Sequence, residues 1–423
     1  MSTLIFQLTS THASEHSAPH YDVELARIDQ RLQANITVAS QRPDSWLHLE
    51  AVAKSYLERA HLTGDFDDYH SALNVMNQIF SISGERAGPA LTRATLHFAV
   101  HRLPEIESDL LKAESALLVD TPTKQKIQGI RADVLLYTGQ YAQAKEAYDQ
   151  LEAIAPSVNS ATRLAHYHAQ LAQFQEAERW YERAEQRVTG QSAHLRSWLK
   201  LQFGILDLEQ GKLDDAIAHY NDGLGVFPDY WLLEEHIAEI DALQGRDKMA
   251  EKKYRDLIKR TGSPVFMSAL VDILAVRNNK TDQNEAVSLR EKTNQWYEDR
   301  ITKIPELMSG HALSHFLQSG DSQRSLQLAQ NNYRLRPAGE AAVQLVQAHT
   351  RLGQIPQATR LLKILLTSPY RSAELHATAG VVFQANGDKQ KADKHYSLAQ
   401  AINPLAVGDM DWLLAGVVAR YVQ

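Results

Sequence analysis

From Ala373 to Pro404 the chain reads AELHATAGVVFQANGDKQKADKHYSLAQAINP. Its apolar positions recur at three- and four-residue steps on either side of a Gly-Asp break, which predicts two short amphipathic helices joined by a turn. Gly380 is small enough to admit a neighbouring helix, and Gly387 supplies the positive φ that ends the first helix. Asp388 caps the second helix. There Ala392, Tyr396 and Ala399 share one face, and Pro404 stops the helix.

The same signature can be followed backwards. Small residues at the expected helix contact are Ala144, Ala177, Ala216, Ala250, Ser325, Ala358 and Ala392, separated by 33, 39, 34, 75, 33 and 34 residues. Four residues after each stands Tyr148, Tyr181, Tyr220, Tyr254, Ala329, Leu362 or Tyr396. The turn column reads Gly139, Ala172, Gly211, Gly245, Gly320, Gly353 and Gly387, with stops at Pro156, Pro228, Pro264, Pro337, Pro369 and Pro404. Four columns that move together are not a coincidence of composition. The 39-residue step implies an insertion around Arg187 to Leu195. The 75-residue step hides an irregular unit, with a polar turn at Asn278–Asp282, Ala286 near the small position and a long second helix from Glu285 to about Thr302.

Small, aromatic, small and a terminal Pro at this spacing resemble the tetratricopeptide repeat family, a 34-residue helix-turn-helix unit. The run from an amphipathic helix at Asp22 to about Ala34 through YLERA (56–60) and TGD (63–65) into regular units is similar to bacterial members of that family. The resemblance implies an all-α fold, a right-handed α-solenoid of about ten helix pairs. The expected organisation is a Ser-, Thr- and His-rich tail (1–21), a cap helix and degenerate first repeat (22–83), a regular array (87–262), the irregular repeat (265–304), a second regular stretch (306–404) and a C-terminal capping helix (405–423), with Asp411–Tyr421 as its apolar part.

Length and composition fit this reading. A chain of 423 residues is too long for one compact core but suits an array in which each unit packs only on its neighbours. No run approaches the roughly 18 apolar residues of a spanning helix, so no integral membrane segment is expected. The net charge of −7 argues against a nucleic-acid binder, and the absence of Cys excludes disulfides, CxxC redox chemistry and Cys-based zinc sites. The apolar run Leu4–Phe6 is too short for an export signal and no basic residue precedes it. The expected compartment is cytoplasmic as written, or periplasmic if the N-terminus is a truncated or processed signal.

No hydrolase, metalloprotease, nucleotide-binding or EF-hand motif occurs, so neither catalysis nor a cofactor is expected. The nearest approaches to ligand spacing are His236 with Glu239, and His311 with His315; among 18 histidines such pairs arise by chance, and no metal site is assigned to them. In the tail His12, His16 and His20 recur every four residues. Metal handling by this tail is one alternative function, although Pro19 opposes a helix there. A regulatory subunit serving an enzyme on another chain is a second.

In the family that the sequence resembles, the first helix of each unit lines the concave face. Projection onto that face implies a partner-binding set of Arg163, His166 and Gln170, then Trp198, Gln202 and Glu209, then Glu235, His236 and Glu239. The expected function is a non-enzymatic interaction scaffold or assembly factor. The acidic end of the set favours a protein or peptide with basic residues, and Trp198 offers it an apolar or cation-π contact. These charges are expected to lie in a water-exposed trough, where salt would weaken binding. The paired Lys, Asn and Arg of chaperone-tail clamps are absent.

Overall fold

The computed structural model describes residues 20–116, 119–190 and 192–406. The tail residues His12 and His16 and the expected terminal helix at Asp411–Tyr421 lie outside them. Within the described residues a single helix, α1 (Tyr21–Ser40), is followed by helix pairs and by no strand. The pairs are α2 (Trp46–Thr63) with α3 (Phe66–Ala87), α4 (Ala90–Ala99) with α5 (Leu103–Glu114), α6 (Thr121–Tyr137) with α7 (Tyr141–Ile154), α8 (Val158–Ala169) with α9 (Phe174–Gln186), and α10 (Ala193–Glu209) with α11 (Leu213–Val226). They continue as α12 (Trp231–Leu243) with α13 (Asp247–Thr261) and α14 (Pro264–Ala275) with α15 (Lys280–Lys303). In the next unit the first helix is split at Ala312 into α16 (Pro305–His311) and α17 (Leu313–Ser319), which pack on α18 (Ser322–Leu335). The last pairs are α19 (Gly339–Arg351) with α20 (Ile355–Thr367) and α21 (Ala373–Ala385) with α22 (Lys389–Ile402).

Every residue of the turn column has positive φ, including the non-glycine Ala172 at 53°. Three boundaries differ from the sequence reading because caps outrank composition. Asp120 accepts a hydrogen bond from the Thr123 N–H, so α6 starts at Thr121, inside the stretch Val119–Thr123 whose composition reads as a linker, with Pro122 in its first turn. Asn279 accepts from the Asp282 N–H and starts α15 five residues before the expected Glu285. Further upstream, α1 runs on to Ser40, beyond the stretch from Asp22 to about Ala34 that its pattern marked.

Within each pair the contact is a matched exchange of volume. Sixteen residues before each of Tyr148, Tyr181, Tyr220, Tyr254 and Tyr396 stands Ala132, Ala165, Gly204, Ala238 or Gly380. A Cβ added at Gly204 or Gly380 would fall inside the Tyr220 or Tyr396 ring. Where the second helix carries the smaller Leu362 or Ala329, the first helix carries the larger Val346 or Leu313, and all four are fully buried. Close packing leaves no other solution, since volume removed on one side must be supplied on the other.

The array also closes on itself. The Trp231 indole N–H donates to the Leu62 carbonyl at 2.9 Å, and the Asn403 amide donates to the Leu208 carbonyl at 3.3 Å. Backbone hydrogen bonds join Tyr21 N–H to the Pro228 carbonyl (3.2 Å) and Arg371 N–H to the Gln170 carbonyl (3.1 Å). Arg102 pairs with Glu306 at 3.2 Å, Arg300 pairs with Asp67, and Phe66 packs edge-on against Trp296. These partners lie 169 to 233 residues apart, so one superhelical turn takes about six units of the 34-residue repeat. Gly64, Gly139 and Gly211 serve twice. Each ends a helix, and each lets the next superhelical turn approach: a Cβ at Gly64 would be 2.9 Å from the Trp231 ring, one at Gly139 would be 3.2 Å from Ala338, and one at Gly211 would overlap Asn403.

The volume exchange is testable. Gly204→Val should cost about 1–3 kcal/mol by overpacking, read as a lower urea midpoint with unchanged helical circular dichroism. The double variant Gly204→Val/Tyr220→Leu, which copies the Val346–Leu362 solution, should recover part of the loss. Equal midpoints for parent and Gly204→Val would contradict the packing described.

Candidate functional site

The first helices α8, α10 and α12 carry eight of the nine residues projected onto the concave face, and Gln170 is the C-cap of α8. Closure changes their surroundings. Arg163, His166, Trp198, Gln202, Glu235, His236 and Glu239 are buried, while Gln170 and Glu209 keep some accessible surface. The face is therefore the wall of an interior and not a water-exposed trough, because the second superhelical turn covers what a single turn would leave open.

Arg163 is committed to the fold. Its guanidinium grips Asp133 with Nε at 2.9 Å from Oδ1 and Nη2 at 2.9 Å from Oδ2, and the Tyr148 hydroxyl donates to the same carboxylate at 3.0 Å. Gly129 makes room for it, since a Cβ there would be 2.8 Å from the guanidinium carbon. Breaking such a buried pair leaves a bare charge and costs several kcal/mol, about 3–5. Gln202 accepts from the Tyr181 hydroxyl at 3.2 Å, and the His166 Nε2 lies 3.4 Å from the Tyr137 hydroxyl. Gln170 gives its carbonyl to Arg371 and lines a cavity of about 30 Å³ with Leu136, Tyr137, Tyr141, Arg336 and Glu340, room for about one water.

The acidic side chains behave differently. Glu209, at the end of α10, is surrounded by protein but still partly accessible, and burial together with the Glu340 charge pushes its pKa up to about 8. Glu374 on α21 is buried with Oε2 lacking a hydrogen bond, and its pKa is also pushed to about 8 by burial, against the hydrogen bond from Gln347 at 2.7 Å. On α12, the His236 Nδ1 lies 3.2 Å from Glu239 Oε2 and 3.7 Å from Glu235 Oε2. Burial pulls the imidazole's pKa down, but the Glu239 hydrogen bond and the Glu235 charge raise it above the ordinary value.

Glu340 and Glu374 were missed in the projection. Both occupy first helices of the second superhelical turn, and Glu340 meets Glu209 across 131 positions of sequence. No local spacing encodes that meeting. Their signal was a carboxylate at an inward first-helix position, overlooked beside Gln344 and Gln347, to which they hydrogen bond.

Residues 131–192, spanning α6 to α9, match the family model described as tetratricopeptide repeat. Over these residues the chain carries tetratricopeptide repeats. Among curated proteins, none matches it. Among solved structures, this tetratricopeptide array is similar to a human IFIT1 dimer with m7Gppp-AAAA (14% identity, 88% of this chain and 94% of that one, TM-score 0.40). It is also similar to the APC/C hetero-tetramer Cut9-Hcn1 (13%, 89% and 76%, TM-score 0.41) and to a tetratricopeptide repeat protein from Parabacteroides merdae (14%, 63% and 99%, TM-score 0.35). No described helix is long and apolar enough to cross a membrane.

The interior predicts how the tetratricopeptide array responds to pH. Burial lowers His61, His166, His194, His315 and His376 to about 4 and His311 to about 3. In the unfolded chain imidazoles take up protons below about 6.5, so the unfolded state gains protons first and stability falls as pH drops from there towards 4. Glu209 and Glu374 act in the opposite sense. They stay protonated when folded up to about pH 8 but ionise near 4.3 when unfolded, so their contribution is lost as pH rises through 8. Between pH 4.5 and 6 the histidines outnumber the two glutamates. The melting temperature should therefore peak near pH 6.5 and decline on both sides. Glu209→Gln/Glu374→Gln should flatten the alkaline decline and steepen the acid one, because the two carboxyls act across the whole window from about 4.3 to 8; an unchanged alkaline limb would refute the assignment.

Proposed function

We propose that this array is a non-enzymatic scaffold or assembly factor that holds a segment of another polypeptide against the inner wall of its superhelix, and that the segment carries Lys or Arg. A role in protein interaction is what the tetratricopeptide fold supports generally. The observation that favours a basic segment is the excess of inward carboxyls at Glu209, Glu340 and Glu374. Arg163, the basic member of the projected set, is already paired with Asp133. An arriving ammonium or guanidinium would lower the raised carboxyl pKa values and form charge-assisted hydrogen bonds with the ionised groups. Trp198, on the same wall, adds an apolar or cation-π surface.

This reading alters the expected solution behaviour. Charges enclosed by protein are screened less by salt than those in an open trough. Proton release from Glu209 and Glu374 becomes the stronger handle, so affinity should rise between pH 6 and 8.5. The test is to identify the partner by pull-down and mass spectrometry, map its binding segment to a synthetic peptide, and titrate that peptide against parent, Trp198→Ala and Glu209→Gln chains. Glu209→Gln should weaken binding at pH 8 by about tenfold, the factor equivalent to one charge-assisted hydrogen bond of about 1.4 kcal/mol, and should remove most of the pH dependence. Affinities equal to the parent for both variants, in chains of normal helical content, would place the partner elsewhere on the array.

A further inference from the structure

We propose that Glu235, His236 and Glu239 on α12 form a binding site for a single divalent first-row cation, of which Zn²⁺ is the natural probe. The two carboxylates stand one helical turn apart on the same face. The imidazole between them is turned so that its Nδ1 lies 3.2 Å from Glu239 Oε2 and 3.7 Å from Glu235 Oε2, and one ligand atom from each of the three residues lies within 4.8 Å of the other two. Ligands about 2.0–2.1 Å from a tetrahedral zinc are separated by roughly 3.4 Å, so the spacing around Nδ1 already suits a shared cation. One nitrogen and two carboxylate oxygens suit zinc, manganese, iron or nickel better than calcium, which prefers an all-oxygen shell.

A close carboxylate cluster is not by itself a site, and two further observations point to a missing ligand. Glu239 is fully buried, its charge faces no Lys or Arg among the described residues, and its Oε1 has no hydrogen-bond partner. Tyr220, also fully buried, stacks on the His236 ring at 5.3 Å and 19°, and its hydroxyl is likewise unmatched. Gly204 is what admits the Tyr220 ring to this position. A divalent cation at this point would engage Glu239 and can carry a water that gives the Tyr220 hydroxyl its partner. The inference goes beyond the scaffold reading and does not depend on it. If the cation occupies Glu235 and Glu239, the carboxyls left to a basic partner are Glu209, Glu340 and Glu374.

The full chain, stripped of metal, is titrated with Zn²⁺, Mn²⁺ and Ca²⁺ by calorimetry at pH 7.5 with no peptide present, so failure here is distinct from failure of the scaffold reading. One Zn²⁺ per chain should bind with micromolar affinity or tighter and raise the melting temperature, while Ca²⁺ should do neither. Glu239→Gln and His236→Asn should each weaken Zn²⁺ binding at least about tenfold and lose the thermal shift. His12→Ala/His16→Ala, which removes tail imidazoles, should retain both. Glu239→Gln keeps the shape of the side chain and an amide that can still hydrogen bond to His236, so retention of the parent's helical circular dichroism keeps its loss of binding interpretable. In the Co²⁺ form, visible d–d bands should appear in the parent and be absent in His236→Asn. No zinc binding tighter than millimolar, or binding that survives Glu239→Gln but is lost in His12→Ala/His16→Ala, would overturn the proposal in favour of a plain imidazolium–carboxylate pair.

Discussion

What the rest of the structure depends on is the pitch at which one superhelical turn lies on the next. Stacked helix pairs can be wound to many pitches, and each is satisfied by contacts between neighbouring units alone. Here the turns touch, which requires backbone at α2–α3, α6–α7 and α10–α11 to be approached by Trp231, Ala338 and Asn403. Any side chain larger than hydrogen at Gly64, Gly139 or Gly211 would hold the turns apart. The equivalent glycines of the second turn, Gly245, Gly320, Gly353 and Gly387, have no such neighbour within 4 Å. They are glycine for the sake of the helix end; the other three are glycine for the sake of both.

Closure also sets the electrostatics. In a single open turn the inward carboxylates would be solvated and unremarkable. With a second turn over them, burial favours their neutral forms, and Glu209 comes under the influence of Glu340 although the two belong to units far apart in sequence. His61, His166, His194 and His311 respond in the mirror sense and are held neutral, whereas His236, beside Glu239, is raised. The protonation of the interior carboxyls and imidazoles, and with it the charge of the inner wall, therefore depends on pH.

The division between what the sequence shows and what it conceals follows the range of the contacts. The helix pairs are legible because the exchange between Gly204 and Tyr220, or between Val346 and Leu362, is confined to a single repeat and recurs at fixed spacing. Even the non-glycine turn at Ala172 stood in its column before its φ was known. The caps at Asp120 and Asn279 are legible in principle, but the polar, turn-like composition around them masks the helix starts. The enclosed state of Trp198, Glu235 and Glu239 was not legible, because it depends on partners 169 to 233 residues away, and the turn glycines that permit closure look the same as those that do not. Nor does spacing reveal that His236 turns its Nδ1 between two carboxylates and lies under Tyr220.

The two most distant described elements meet the same part of the chain. Tyr21, at the start of α1, is bonded to Pro228, and Asn403, after α22, is bonded to Leu208. A simple solenoid frays from its ends, losing one unit at a time while the middle persists. In this array each end is fastened to the middle, so amide hydrogens in α1 and α22 should exchange with solvent nearly as slowly as those in α10 and α12. The cost is kinetic. Contacts spanning about two hundred residues cannot guide early folding, since closing so long a loop precedes any reward. The helix pairs must form first and dock last, and a newly made chain passes through an open superhelix with its acidic wall still in water.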